Sequence, residues 1–142
     1  MEHVNIYITH TFKPGMTREG VIRYDIVLDK DGEESNSVGD TVQMTGTINE
    51  CVLNAIITAL NRMKKPVFVN VYMDVTFISN MFYGQLDSWK AAGFEKEIAQ
   101  KEQWKKISEE KDKHRLNMIY AIKHPFTEWQ KNEISKMDNI SQ

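Results

Sequence analysis

The sequence predicts an α/β fold in which three strands precede a mixture of helices and strands. Residues 4–12 alternate apolar and polar side chains, as in a strand with one buried face. Apolar residues then recur at helical spacing between Thr47 and Pro66, and a short, largely apolar segment follows at 67–73. The predicted order is strand, strand, strand, helix, strand, helices, strand and helix.

The first three strands are expected to pair antiparallel, because short turns connect them. A turn at Lys13-Pro14-Gly15 leads into a second strand at about 21–28. The acidic segment 29–34, DKDGEE, then turns the chain into a third strand at about 37–45. Charge at the tip of a hairpin is easily solvated, so we interpret this segment as a turn.

Local signals mark the ends of the later elements. Thr47 is the expected N-cap of the first helix, and Pro66 ends that helix. The strand at 67–73 ends at Asp74. The remaining predicted elements are helices over 75–113 with a break near 92–93, a strand over 116–122 and a helix over about 126–137.

Length and composition indicate one domain over residues 1–142 that folds without disulfides or a structural metal. The single cysteine, Cys51, excludes an internal disulfide or a CxxC zinc pair, so we expect a cytoplasmic protein. No segment has the length and apolarity of a membrane span, and the first ten residues lack the features of a secretion signal. We therefore expect no membrane partner.

Charge is unevenly distributed along the chain, although the formal total is only -2. Residues 1–88 carry 7 basic and 11 acidic side chains, whereas residues 89–142 carry 11 and 9. The overall field of the protein therefore does not attract phosphate. Any interaction with nucleic acid would depend on a local site.

Three motifs, taken in order, resemble type 1 ribonuclease H. TINECVLNAIITAL, residues 47–60, resembles the T-x-N-x-x-E helix opening of that family. VYMDVTFISNMF, residues 71–82, resembles its strand ending in a catalytic aspartate, and WKAAGF, residues 89–94, with Trp104 resembles the lead into its substrate-binding protrusion. The resemblance covers nearly the whole chain and is closest to small homologues from phages and mobile elements. It implies a ribonuclease H-like fold: a five-stranded mixed sheet, three antiparallel strands then two parallel ones, with helices on both faces.

The resemblance also implies phosphodiester hydrolysis by two Mg²⁺ ions held by four carboxylates. Two of those acids are replaced here, because Thr9 stands at the first-strand position and Val52 at the first-helix position. Asp74 matches the acid after the fourth strand. The last helix offers Glu133, or Asn132 if the register shifts by one residue.

Asp74, Glu133 and His124 are therefore the predicted catalytic residues of a degenerate site, His124 resembling the mobile proton-shuttle histidine of the family. Ordinary interpretations stay open: a helix N-cap for Asp74, an exposed acid for Glu133 and a loop residue for His124. Asp74 alone would bind Mg²⁺ weakly, so no cofactor is expected, with Mg²⁺ or Mn²⁺ as the metal if activity remains. Glu50 is interpreted as an acid favoured by the helix dipole.

The resemblance implies binding residues as well. Thr47 and Asn49 lie at the start of the first helix, where that family contacts the backbone of an RNA/DNA hybrid. Trp89 could stack on bases, and Lys96 and Lys101 remain in a protrusion that is otherwise close to neutral. A cap with a polar first turn, and packing of the tryptophan within the protein, are the alternatives.

The sequence thus predicts a catalytically degenerate ribonuclease H-like domain that binds an RNA/DNA hybrid or a duplex. One alternative is a divergent metal-dependent nuclease built on Asp74, Glu133 and Glu50. The other is a protein-interaction factor of a phage or mobile element that uses the fold as a scaffold.

Overall fold

The computed structural model describes residues 1–14 and 17–140. Strands come first in this part of the chain, and helices and strands alternate after Gly46. In chain order the elements are β1 (His3–His10), β2 (Arg18–Lys30), β3 (Glu33–Gly46), α1 (Ile48–Leu60), β4 (Phe68–Met73), α2 (Thr76–Gly84), α3 (Leu86–Ala91), α4 (Lys101–Lys113), β5 (Arg115–Tyr120) and α5 (Thr127–Ile140).

The strands form a five-stranded sheet in the order β3-β2-β1-β4-β5. The pairs β1–β2 and β2–β3 are antiparallel, and the pairs β1–β4 and β4–β5 are parallel. This arrangement confirms the expected mixed sheet. Because β1, β3, β4 and β5 run in one direction, their last residues lie along the same side of the sheet, which we name the carboxyl side.

The acidic turn is confirmed, but the third strand is longer than predicted. Asp31 and Gly32 have φ angles of 52° and 86°, and they join Lys30 directly to its partner Glu33. Two consecutive positive φ angles are typical of a two-residue type I′ hairpin, so pairing resumes at once. The turn predicted at 13–15 includes Gly15, which lies outside the described residues.

Helices cover both faces of the sheet, as expected. On one face Ile6 and Ile8 of β1 enter the core with α1, in which Val52 and Leu53 are fully buried. On the other face the ring of Tyr7 lies 4.8 Å from that of Phe126, just before α5. The alternation of β1 therefore separates Val4, Ile6 and Ile8, which are apolar and face α1, from a face that carries polar side chains.

The segment between β4 and β5 was predicted as helices over 75–113 with a break near 92–93, and the observed break is wider. Residues 92–100 are not helical, and three of them, Gly93, Phe94 and Gln100, have φ angles of 70°, 56° and 58°. Left-handed residues end a helix, so the expected break extends over the whole of this loop. Of the helices in the described ranges, none is long and apolar enough to span a membrane.

Candidate functional site

A cleft of about 250 Å³ lies at the carboxyl side of the sheet, between the ends of β1 and β4 and the start of α5. We name it the strand-end cleft. Its described lining combines three apolar side chains with seven polar or charged ones: Ile8, Thr9, His10, Asp74, Ala121, Ile122, Lys123, His124, Thr127 and Lys131.

The parallel pairing of β1 with β4 brings two predicted site residues together. Tyr7 pairs with Tyr72 near the ends of the two strands, and Thr9 and Asp74, each two residues further along, both line the cleft. His124 approaches from the loop before α5, with its Nε2 3.4 Å from the Thr9 hydroxyl. Three of the positions that the sequence singled out therefore meet in one cleft.

Asp74 is engaged by a histidine that the sequence patterns did not indicate. His10 Nε2 lies 2.6 Å from Asp74 Oδ1, and His10 Nδ1 accepts the backbone N–H of Phe12 at 3.0 Å. An accepting Nδ1 requires the proton on Nε2, so the imidazole donates to the carboxylate. This hydrogen bond is the main reason that the pKa of Asp74 lies below its usual range, although burial opposes it. Asp74 is thus an ionised carboxylate with one oxygen already bonded.

Thr9 is one end of a buried hydrogen-bond chain. Its hydroxyl donates to Oε1 of Gln130 at 2.6 Å. The amide nitrogen of the fully buried Gln130 donates to the Tyr7 carbonyl at 2.8 Å and to Asp25 Oδ2 at 2.9 Å. Both of those partners only accept, so the amide cannot be reversed. Position 9 must therefore supply a donor, which an ionised aspartate lacks.

The buried hydrogen-bond chain continues from Gln130 into an ion pair within β2. Arg23 donates to the fully buried Asp25 through Nε at 3.0 Å and Nη2 at 2.7 Å, and its guanidinium lies 5.0 Å from the ring centroid of Trp129. The hydrogen bond to Asp25 raises the pKa of Arg23. Arg23 and Asp25 lie two residues apart on one face of the strand, a spacing that is visible in the sequence. Gln130, the other partner of Asp25, lies 105 residues further along the chain.

His124 is held at both ring nitrogens. Nδ1 accepts the backbone N–H of Phe126 at 3.2 Å, so Nε2 carries the proton and donates to the Ile8 carbonyl at 3.2 Å. The ring lies 4.9 Å from that of Tyr7. Burial is the main cause that lowers the pKa of His124 below its usual value. The imidazole is therefore neutral near pH 7, and its role as a proton shuttle stays a prediction.

The last helix directs a lysine, Lys131, into the cleft. Glu133 is not among the lining residues; it bonds Lys136 at 2.8 Å, and this bond is the main cause that holds the pKa of its carboxyl below the usual range. The neighbouring Asn132 is exposed. The structure therefore brings Asp74 and His124 together but places Glu133 elsewhere on α5.

The first helix contributes no acid to the cleft lining. Val52 is completely buried in the core beneath the sheet. Glu50 lies in the first turn of α1, where its backbone N–H donates to the Thr47 hydroxyl at 3.2 Å, and its carboxylate approaches Gly46. This is the geometry of a capped helix start, which agrees with the interpretation of Glu50 as a first-turn charge.

The donor set of the cleft does not fit a pair of Mg²⁺ ions. Of the described lining residues only Asp74 carries a carboxylate, and Lys123 and Lys131 oppose a cation there. Mg²⁺ prefers oxygen ligands and is held by carboxylates together with water or phosphate. Within residues 1–14 and 17–140, no group of three or more His, Cys, Asp or Glu side chains is arranged to hold a metal ion.

The predicted nucleic-acid contacts fall into two places. Thr47 and Asn49 begin α1 directly after β3, so they lie on the same carboxyl side of the sheet as the cleft. Trp89 packs against Trp104 with ring centroids 5.9 Å apart, as the alternative interpretation expected. The exposed Lys96 and the half-buried Lys101 lie in the loop before α4 and at its start, and they do not line the cleft.

Comparisons with known proteins agree on one family. No protein-family model matches the sequence. A ribonuclease H of Clostridium botulinum is 27% identical over 144 residues, which cover 98% of this chain and 95% of that protein. Among solved structures, LC9-RNase H1, a type 1 RNase H with the type 2 active-site motif, superposes with a TM-score of 0.69 at 13% identity, over 99% of this chain and 74% of that one.

A second solved structure, a foamy viral protease-reverse transcriptase in complex with dsDNA, gives a TM-score of 0.66 at 15% identity over 96% of this chain and 90% of that one. These likenesses confirm the ribonuclease H-like fold that the motifs implied.

Proposed function

We propose a function from the premise that this chain is a divergent ribonuclease H homologue with the type 1 fold. It is a single catalytically degenerate domain that binds nucleic acid, either an RNA/DNA hybrid or a duplex. The observation that carries this proposal is the composition of the strand-end cleft. Asp74 is the one carboxylate among the described lining residues, and it shares the cleft with two lysines where the resemblance implies four acids.

The residue at position 9 and its buried partners form one satisfied hydrogen-bond network. This network supports a protein that keeps the fold without the metal-dependent reaction. Thr9 donates to Gln130, and Gln130 in turn satisfies the buried Asp25. A carboxylate at position 9 would leave Gln130 Oε1 without its donor and add a negative charge near Asp25. The buried network therefore stabilises the degenerate form of the site.

Binding through the carboxyl side of the sheet is supported by what lies along it. The start of α1, with Thr47 and Asn49, presents backbone N–H groups and a positive helix end, both of which favour phosphate. Foamy viral protease-reverse transcriptases, which share this fold, were solved in complex with dsDNA and with an RNA/DNA hybrid. The carboxyl side is therefore the surface proposed to contact the nucleic-acid backbone.

The test combines a binding assay with a cleavage assay. We expect fluorescence anisotropy to detect binding of a labelled RNA/DNA hybrid at low salt, with an affinity that falls as salt rises. The same hybrid, incubated with Mn²⁺ or Mg²⁺, should stay intact.

Two results would contradict the proposal. Cleavage that disappears in Asp74→Asn would favour the divergent nuclease. Undetectable affinity for hybrid, duplex and single strands at low salt would favour a protein-interaction factor.

A further inference from the structure

We infer that the strand-end cleft binds a phosphate group directly, through Lys123 and Lys131, without a bridging metal ion. The inference rests on the proposed nucleic-acid function and names the ligand of that site. The phosphate can belong to a nucleic-acid backbone or be free in solution, because the chemistry of recognition is the same.

The first support is the net charge of the lining. Asp74 contributes one negative charge, and Lys123 and Lys131 contribute two positive ones. His124 adds no charge, because its Nδ1 accepts a backbone N–H and the ring so carries a single proton on Nε2. The described lining is therefore positive at neutral pH, the reverse of a site for divalent cations.

The second support is that both lysines are available to a ligand. Lys131 is 57% exposed, and its partner Glu128, one turn earlier, lies 3.8 Å away. Such an exposed pair is weak and is readily exchanged for a stronger acceptor. Lys123 is exposed, and among the described side chains no carboxylate forms an ion pair with it.

The third support is the position of the cleft relative to α5. Thr127, the first residue of this 14-residue helix, lines the cleft, and Lys131 lies one turn further on. The positive end of the helix therefore adds to the field of the two lysines. A volume of about 250 Å³ also accommodates a phosphate with several waters, each of which takes roughly 30 Å³.

The experiment follows the backbone amide resonances of the isotope-labelled protein during titration with inorganic phosphate in EDTA. We expect saturable shifts at Lys123, His124 and Lys131. A second arm measures affinity for an RNA/DNA hybrid over a series of salt concentrations. Each lysine that contacts a phosphate should contribute about one unit to the slope of log affinity against log salt.

Three variants give the contrast. Lys131→Gln and Lys123→Gln should each weaken phosphate binding by about tenfold, the loss expected for one charge-assisted hydrogen bond. Lys105→Gln is the matched control, because Lys105 is 45% exposed and also lies 3.8 Å from a glutamate three residues earlier. It lies outside the cleft and should leave both affinities unchanged.

The outcomes separate this inference from the proposed function. Phosphate binding that both cleft variants weaken supports the inference, even if no hybrid binds, in which case only the proposed function fails. Hybrid binding that both variants leave unchanged overturns the inference while the proposed function stands. Phosphate binding that requires added Mg²⁺, or that Lys105→Gln weakens equally, also overturns it.

Discussion

Thr9 donates a 2.6 Å hydrogen bond to Oε1 of Gln130, and this contact links the chemistry of the cleft to the interior of the fold. Gln130 has no freedom to turn, because its amide nitrogen already bonds the Tyr7 carbonyl and Asp25. The residue at position 9 must therefore supply a donor to a buried partner on α5, in addition to lining the cleft. The absence of an acid at position 9 and the presence of Gln130 belong to one arrangement.

Thr9→Asp should destabilise the protein and should not create a metal site. The new carboxylate would face Gln130 Oε1, acceptor against acceptor, close to the buried Asp25. We expect a loss of about 2 to 3 kcal/mol in the free energy of unfolding, measured with urea. Thr9→Val is the control of equal shape, and it should lose only about 1 kcal/mol. A Thr9→Asp protein as stable as the wild type would refute this account.

Arg23→Met should lower the free energy of unfolding far more than the removal of a cation from an exposed ion pair. Asp25 is completely buried, so loss of its bidentate partner leaves a charge without compensation. We expect about 3 kcal/mol of destabilisation in chemical unfolding. Lys90→Met is the comparison, since Lys90 lies 2.7 Å from Asp112 with both side chains at least half exposed. That change should cost less than about 1 kcal/mol, and equal effects would contradict the importance of burial.

Gly39→Ala should disturb the same ion pair from the neighbouring strand. A Cβ at position 39 would lie 2.1 Å from the Tyr24 carbonyl oxygen and 2.4 Å from Asp25 Oδ1. Because the first of these atoms is backbone, β3 itself must shift, and we expect a loss of about 2 kcal/mol in stability. Gly84→Ala, where nothing lies within 4 Å of the added atom, should be neutral or slightly stabilising. A Gly39→Ala protein as stable as the wild type would show that β3 can shift without loss of stability.

Acid titration should reveal the bond between His10 and Asp74. A carboxyl whose pKa is lower in the folded protein than in the unfolded chain stabilises the fold above the unfolded value, about 3.9. That stabilisation is lost as the pH falls through the folded pKa. Asp74 is lowered in this way, mainly by His10. The free energy of unfolding should therefore fall more steeply below about pH 4 in the wild type than in Asp74→Asn.

His10→Leu provides the control for this titration. It removes the donor but keeps the carboxyl, so the pKa of Asp74 should return toward its ordinary value. The free energy of unfolding should then fall less steeply at acid pH, as in Asp74→Asn. If the free energy of unfolding falls equally steeply at acid pH in the wild type, Asp74→Asn and His10→Leu, the bond does not affect folding.

The fold was predictable because its signals are local. The alternation at 4–12, the Asp31-Gly32 pair in an acidic turn and the apolar spacing of α1 each depend on neighbours in the sequence. The exact limits of β3 and the wide loop before α4 were not predictable in the same way. They depend on strand pairing and on left-handed residues such as Phe94, which carry no strong sequence signal.

The site was predictable only in part, and the reason is geometric. The resemblance assigned Thr9 and Asp74 to acid positions of one site, and the parallel pairing of β1 with β4 brings both to one cleft. The choice of Lys131 rather than Glu133 as the residue of α5 that lines the cleft depends on the rotation of that helix. His10 looked like one more residue in a strand, and only its approach to Asp74 shows its part in the cleft.

By itself, the sequence determined the order of the elements and, through its resemblance to ribonuclease H, the mixed sheet. The same resemblance implies that Thr9 and Val52 stand where that family has acids. These properties follow from periodicity, turn residues and motifs, all of which are carried by short segments. Only the tertiary structure decided that Thr9 serves a buried network and that two lysines line the same cleft as Asp74. Hydrogen bonds and charges act over a few ångströms in space, between residues that lie more than a hundred positions apart along the chain.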